Sequence, residues 1–238
     1  MRHTGMRPGT AALIAAVVLL AGGCGDGRQR ESPPQAAQFR DCTMRTFDSV
    51  GRPVATLHAD GDRVPVRLVP PGARRCPASL IVRSGSGVSG TRVSGLDLDP
   101  TTARVVKTRG ADGQELLALD SRRGPAGVQT HLFTPLAQEV RVGGHPLLPV
   151  IESGHRVPAD ATCTAGGGIA VTTAQAHEPP GIVLAWDVTR TTYTLDGGQA
   201  RGTRSASVAR AVADPTLRRQ HPELYDGRLL AGCGERPA

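Results

Sequence analysis

Residues 103–120 read ARVVKTRGADGQELLALD. Two apolar-rich runs, ARVVKT and QELLALD, flank RGADG at positions 109–113. Val105, Val106, Leu116, Leu117 and Leu119 suit a pleated, buried ladder, and the glycine- and aspartate-bearing middle suits a turn. The stretch therefore predicts a β-hairpin with a five-residue loop.

Working outward from this hairpin, the same pattern recurs. Residues 64–69 (VPVRLV) alternate with period two, 79–83 read SLIVR, 128–133 read VQTHLF and 168–173 read GIAVTT. Residues 139–142 are expected to meet 147–151 across GGHP. Residues 182–188 (IVLAWDV) are apolar enough for a central strand. Residues 191–195 (TTYTL) alternate again, Asp-Gly-Gly supplies a turn, and 200–206 return as the next strand. Long helical periodicity is missing. One helix is expected, at 214–220, with Asp214 as its cap and Pro215 in its first turn. Pro222 stops it, and 224–230 pack the tail towards Cys233. Closely spaced strands rich in Val and Thr define an all-β domain with one short C-terminal helix. Hairpin following hairpin suggests a propeller-like meander, with a β-sandwich as the alternative.

The amino end is of another kind. Arg2, His3 and Arg7 precede any acid, the first being Asp26, and residues 11–21 form an apolar run of eleven. A bilayer-spanning helix needs about 20 such residues, and Gly22, Gly23, Gly25 and Gly27 break a helix at once. A basic start, a short apolar middle and small residues describe an export signal at 1–23. LAGGC at 20–24 resembles a bacterial lipobox. The resemblance implies that Cys24 carries a diacylglycerol and becomes the first mature residue, holding the protein on the outer face of the cell membrane through its acyl chains. Residues 24–40 then form a lipidated flexible tether, polar and proline-bearing, and 41–238 a single extracytoplasmic domain.

Export gives the remaining cysteines their meaning. Cys42, Cys76, Cys163 and Cys233 make an even set, read as disulfides. Of the three possible pairings, Cys42 with Cys76 and Cys163 with Cys233 enclose the shortest loops. No Cys or His spacing fits zinc.

The chain carries a net charge of +7, and +5 once residues 1–23 are removed. The charge is scattered, and the six aromatic residues (Phe39, Phe47, Phe133, Trp186, Tyr193 and Tyr225) make no stacking platform, so no nucleic-acid partner is indicated.

GRPVATLHADGDRVPVRLV at 51–69 resembles the start of an FG-GAP (VCBS-type) repeat, in which an Asp/Gly calcium loop precedes a strand. IVLAWDVTRTTYTLDGG at 182–198 resembles the final strands of actinobacterial lipoproteins built from such repeats, a family without an assigned activity. The resemblance implies a propeller-like, extracytoplasmic domain and makes Asp60 and Asp62 candidate calcium ligands. Calcium takes six to eight oxygens, yet His58 and Val66 occupy the positions where further acids belong. A tight polar turn is the competing reading of ADGD. Asp97 and Asp99 read as a solvated strand face.

No catalytic residue is assigned. The serine-rich 83–95 (RSGSGVSGTRVSG) contains no nucleophile elbow and reads as a flexible loop. His177 and Glu178 run into two prolines, and no phosphate-binding or dinucleotide motif occurs. Among the histidines, His131 is the outlier, in the middle of an alternating strand. The expectation is a binding or interaction role at the cell envelope, with an unknown envelope protein or ligand as partner. The alternatives are an exported hydrolase with an Asp/His site on loops, and a structural spacer with a large exposed apolar patch.

Overall fold

The computed structural model describes residues 51–72, 77–85, 87–93, 95–110, 113–123, 127–152, 157–177 and 183–237. The signal, the tether, Cys24, Cys42 and Cys76 lie outside these.

Three antiparallel meanders organise the chain. The first sheet runs β1 (Arg52–Ala59), β2 (Asp62–Val69), β3 (Ser79–Ser84) and β4 (Gly87–Arg92) in sequence order. Its first turn is ADGD itself. Ala59 pairs with Asp62, and Asp60 and Gly61 between them have φ of 51° and 83°. Two positive φ values in a two-residue loop are the type I′ geometry that matches strand twist, and Asp-Gly is a sequence that adopts it.

The second sheet is built on the hairpin that opened the sequence: β5 (Leu98–Lys107) and β6 (Glu115–Arg123), followed by β7 (Gly127–Phe133). Lys107 pairs with Glu115 across the expected loop. Two later strands extend this sheet, β10 (Val150–Glu152) beside β7 and β15 (Gly234–Pro237) beside β5. The third sheet runs β11 (Ala159–Cys163), β12 (Ile169–Ala176), β13 (Ala185–Asp196) and β14 (Gln199–Ala213). Beyond β14 stand the short β8 (Arg141–Val142) and β9 (His145–Pro146).

The sheets stack face to face, as neighbouring propeller blades do. Leu57, Val64, Val66, Leu80 and Val82 of the first sheet form one cluster with Leu117, Leu119 and Phe133 of the second. On the opposite face of β6, Leu116 and Ala118 join Leu132, Ala161, Ile169 and Val171 in another. This explains why LLAL is an unbroken apolar run. β6 is covered on both faces, so alternation is not required. Ala174, Trp186 and Val188, on the far face of the third sheet, pack against Leu217 of helix α1 (Asp214–Gln220) and against Leu224 and Tyr225 of a 3-10 turn (Pro222–Tyr225). Among the described residues the protein is thus all-β, with one short C-terminal helix closing the last layer.

Several local expectations are corrected. The serine-rich segment holds β4, paired with β3 along its whole length, and Val88 packs against Val69 and Ile81. Residues 139–142 meet 147–151 only at one end, where the Leu147 N–H donates to Val140 O at 3.2 Å. Val142 pairs with His145 through a Gly143-Gly144 turn, Leu147 and Leu148 are buried, and β10 turns away to β7. Residues 182–188 and 191–195 are not two strands. β13 is continuous from Ala185, and Val183 and Leu184 ahead of it are more than half exposed.

β13 and β14 form a ladder whose register shifts three times, each time adding a residue to β14. At one shift Ala211 has φ 51°, and the Asp187 carboxylate accepts its N–H at 2.8 Å. Most of β14 is exposed, and its outer side pairs only at Gln199, with Arg141.

Asp214 does not cap its helix. Ala213 holds the N-cap position, without a side-chain bond. The Asp214 carboxylate instead accepts from Trp186 Nε1 at 2.8 Å, Tyr225 Oη at 2.9 Å and Arg218 Nε at 2.7 Å. Arg218 also lies 4.0 Å over the Tyr225 ring. Burial of the phenol, then its bond to this carboxylate, raises the Tyr225 pKa well above that of a free tyrosine. Asp214→Ala would strand two nearly buried donors. It is expected to cost about 2–3 kcal/mol, seen as a lower urea midpoint. An unchanged midpoint would remove this hub from the account of stability.

Candidate functional site

Loops from all three sheets meet around a cleft of about 520 Å³. Its walls are His58, Ala59 and Asp60 at the β1–β2 turn, Gly113 and Gln114 before β6, residues 134–136 after β7, and Gly197 at the β13–β14 turn. Several hydrogen bonds hold these loops in place. The Thr134 hydroxyl accepts the N–H groups of Leu136 and Gln138, both at 3.2 Å. Ala137 is buried at φ 58°, and its N–H donates to Thr134 O. A non-glycine residue in the left-handed region costs energy that its surroundings must offset. Gln138 Oε1 accepts from Gly198 N at 3.1 Å, joining this loop to the β13–β14 turn. Glu115 Oε2 accepts from the backbone N–H of His58 at 2.8 Å and stands 3.2 Å from His58 Nδ1. The cleft therefore presents an imidazole, a carboxylate (Asp60) and an amide (Gln114), beside the exposed apolar side chain of Leu136.

Asp60 lies on this wall and Asp62 opens β2. Among the described residues no three His, Cys, Asp or Glu gather to hold a metal ion. Two acids about a type I′ turn fall short of calcium's oxygen count, so the residues do not fit that ion.

A second constellation lies behind the cleft loop. Ser121 Oγ is 2.9 Å from His131 Nε2, and His131 Nδ1 is 2.5 Å from Glu139 Oε1. Arg141 donates from Nε to Glu139 Oε2 at 2.5 Å. Neighbouring strands bring these residues together. In the β6–β7 ladder Leu119 faces His131 and Ser121 faces Gln129, and Phe133 bridges Glu139 across the loop. Serine, histidine and acid in this order form the arrangement that activates a nucleophile. Here Ser121 is 2 % exposed and His131 1 %. Their face packs against the first sheet, with the His131 ring stacked on Phe133 at 6.4 Å between centroids. A substrate has no route to this serine in the folded arrangement, so the relay is a buried polar network. Every buried side-chain polar atom among the described residues has a partner.

The Glu139 carboxyl is pushed up by burial, but hydrogen bonds from His131 and Arg141 outweigh that and hold it below its ordinary value. The sequence marked His131 as an outlier; Ser121 and Glu139 were missed. Their trace was faint: Ser121 interrupts the Leu117, Leu119 alternation at a position that the sheet buries.

Cys163 and Cys233 form a disulfide with Cα atoms 5.0 Å apart, tying the end of β11 to the segment just before β15. No protein-family model, curated protein or solved structure matches the chain.

Proposed function

We propose that this chain is a lipid-anchored cell-envelope protein that binds a ligand or partner through the cleft at the loop end of its stacked sheets. The observation that carries the binding role is the convergence of loops from three sheets on one hydrogen-bonded, partly apolar cleft. Such pre-formed concavities with a few placed polar groups are the usual form of binding sites. The anchor rests on the basic start, the short apolar run and the Gly-Gly-Cys24 sequence. The Cys163–Cys233 disulfide fits an oxidising compartment.

Cys24→Ala tests the anchor. In the native host the variant is expected to leave the membrane fraction, or to remain unprocessed. Unchanged membrane association would reject it.

The hydrolase alternative has one observation in its favour, the His58 and Glu115 pair at the cleft. It predicts turnover of an ester, peptide or glycoside that His58→Ala abolishes. Turnover lost in that variant would replace the binding reading.

A further inference from the structure

A smaller pocket of about 380 Å³ lies between the second sheet and the C-terminal tail. It is lined by Arg104, Asp120, Gly227, Arg228, Ala231 and Glu235. Two bases and two acids surround it, and their pairing is uneven. Arg104 is committed: it donates to Glu235 Oε1 at 3.0 Å and to Leu229 O at 3.3 Å. Asp120 accepts only the neutral Thr130 hydroxyl, at 2.8 Å, and no cation pairs with it among the described residues. The Arg228 guanidinium makes no ion pair or hydrogen bond among the described residues; only its backbone is engaged, the N–H with Asp226 and the carbonyl with the Ala231 N–H. One acid and one base thus face a shared space, each without a counter-charge.

We infer that this pocket binds a small zwitterion of amino-acid or dipeptide size, its ammonium on Asp120 and its carboxylate on Arg228. The charge pattern selects the class. A simple anion would meet the Asp120 carboxylate, and a simple cation would meet two guanidinium groups. Only a ligand bearing both signs satisfies both residues. A guanidinium also presents the fork of donors that matches a carboxylate. The volume lies at the small end of ligand sites, and Gly227 and Ala231 add little side-chain bulk to the walls. The site is pre-formed. β5 and β6 supply one wall, while β15 pairing and the Cys163–Cys233 disulfide hold the tail that supplies the other. This inference does not depend on the lipid anchor or on the loop-end cleft.

The test is calorimetric titration of the full chain, purified in detergent, with glycylglycine. N-acetylglycine, which lacks the cation, and glycinamide, which lacks the anion, serve as controls. Saturable binding of glycylglycine is expected, with each control weaker by about tenfold or more. Asp120→Asn keeps an acceptor for Thr130 and removes the charge; Arg228→Gln removes the base from an exposed position. Each is expected to weaken glycylglycine binding by about 10- to 100-fold. If Asp120→Asn does not fold, Arg228→Gln decides alone. No saturable binding up to about 10 mM, a range that reaches very weak affinities, would overturn the inference. So would controls that bind as well as the dipeptide, or a folded Arg228→Gln variant that binds like the parent.

Discussion

Replacing Glu139 with alanine is expected to lower the stability of the domain by about 3 kcal/mol at neutral pH, the upper end of the scale for leaving a buried polar group without its partner. The side chain of Glu139 is only 8 % exposed and joins His131 to Arg141. Without it, the Nδ1 of a histidine that is 1 % exposed loses its partner inside an apolar layer. The same carboxylate sets an acid dependence. Its folded pKa lies below the ordinary 4.5. The stabilisation is therefore fully present above the unfolded pKa, and is lost as pH falls from about 4.5 through the folded value. The parent should lose stability over that interval, and Glu139→Ala should lose less there. Urea denaturation at stepped pH measures both. Equal midpoints at neutral pH would contradict the role given to this network, and parallel pH profiles would contradict its titration.

Removing the Cys163–Cys233 disulfide is expected to cost a similar amount. The bond closes a loop with a sequence separation of 70, which the chain-entropy relation values at about 4 kcal/mol. The double variant Cys163→Ala, Cys233→Ala should melt at a clearly lower temperature. Amides of β5 that bond to β15 should also exchange faster, because Gly234, the first residue of β15, directly follows Cys233. A melting temperature equal to that of the parent would show that sheet pairing alone fixes the tail.

What could be read from the sequence was local. The β5–β6 hairpin, β2, β3, β7, β12 and the helix at 214–220 announced themselves through alternation, turn residues and Pro215. β4 and β11 did not, because Gly, Ser, Ala and Thr fill them and carry no hydrophobic period. The Asp214 error was of another sort. A short acid before proline satisfies the rule for a cap, but Trp186 and Tyr225 arrive from distant sequence and claim the carboxylate. The same limit hid the cleft and the relay. Glu139 meets Ser121 only through His131, after two strand pairings have set the register. The pairing of Cys163 with Cys233 follows the shortest-loop reasoning; the two positions that would complete that scheme, Cys42 and Cys76, lie outside the described residues.

The long exposed β14 has a bearing on how copies of this protein behave when crowded. A regular rim of fifteen residues invites a foreign chain to zip onto it and seed aggregation. Here the donor–acceptor rhythm is broken at three points, and the longest uninterrupted stretches are two runs of four, 204–207 and 199–202, the latter already engaged at Gln199 by Arg141. An intruding strand meets only short matches along this rim, which weakens its hold on the edge.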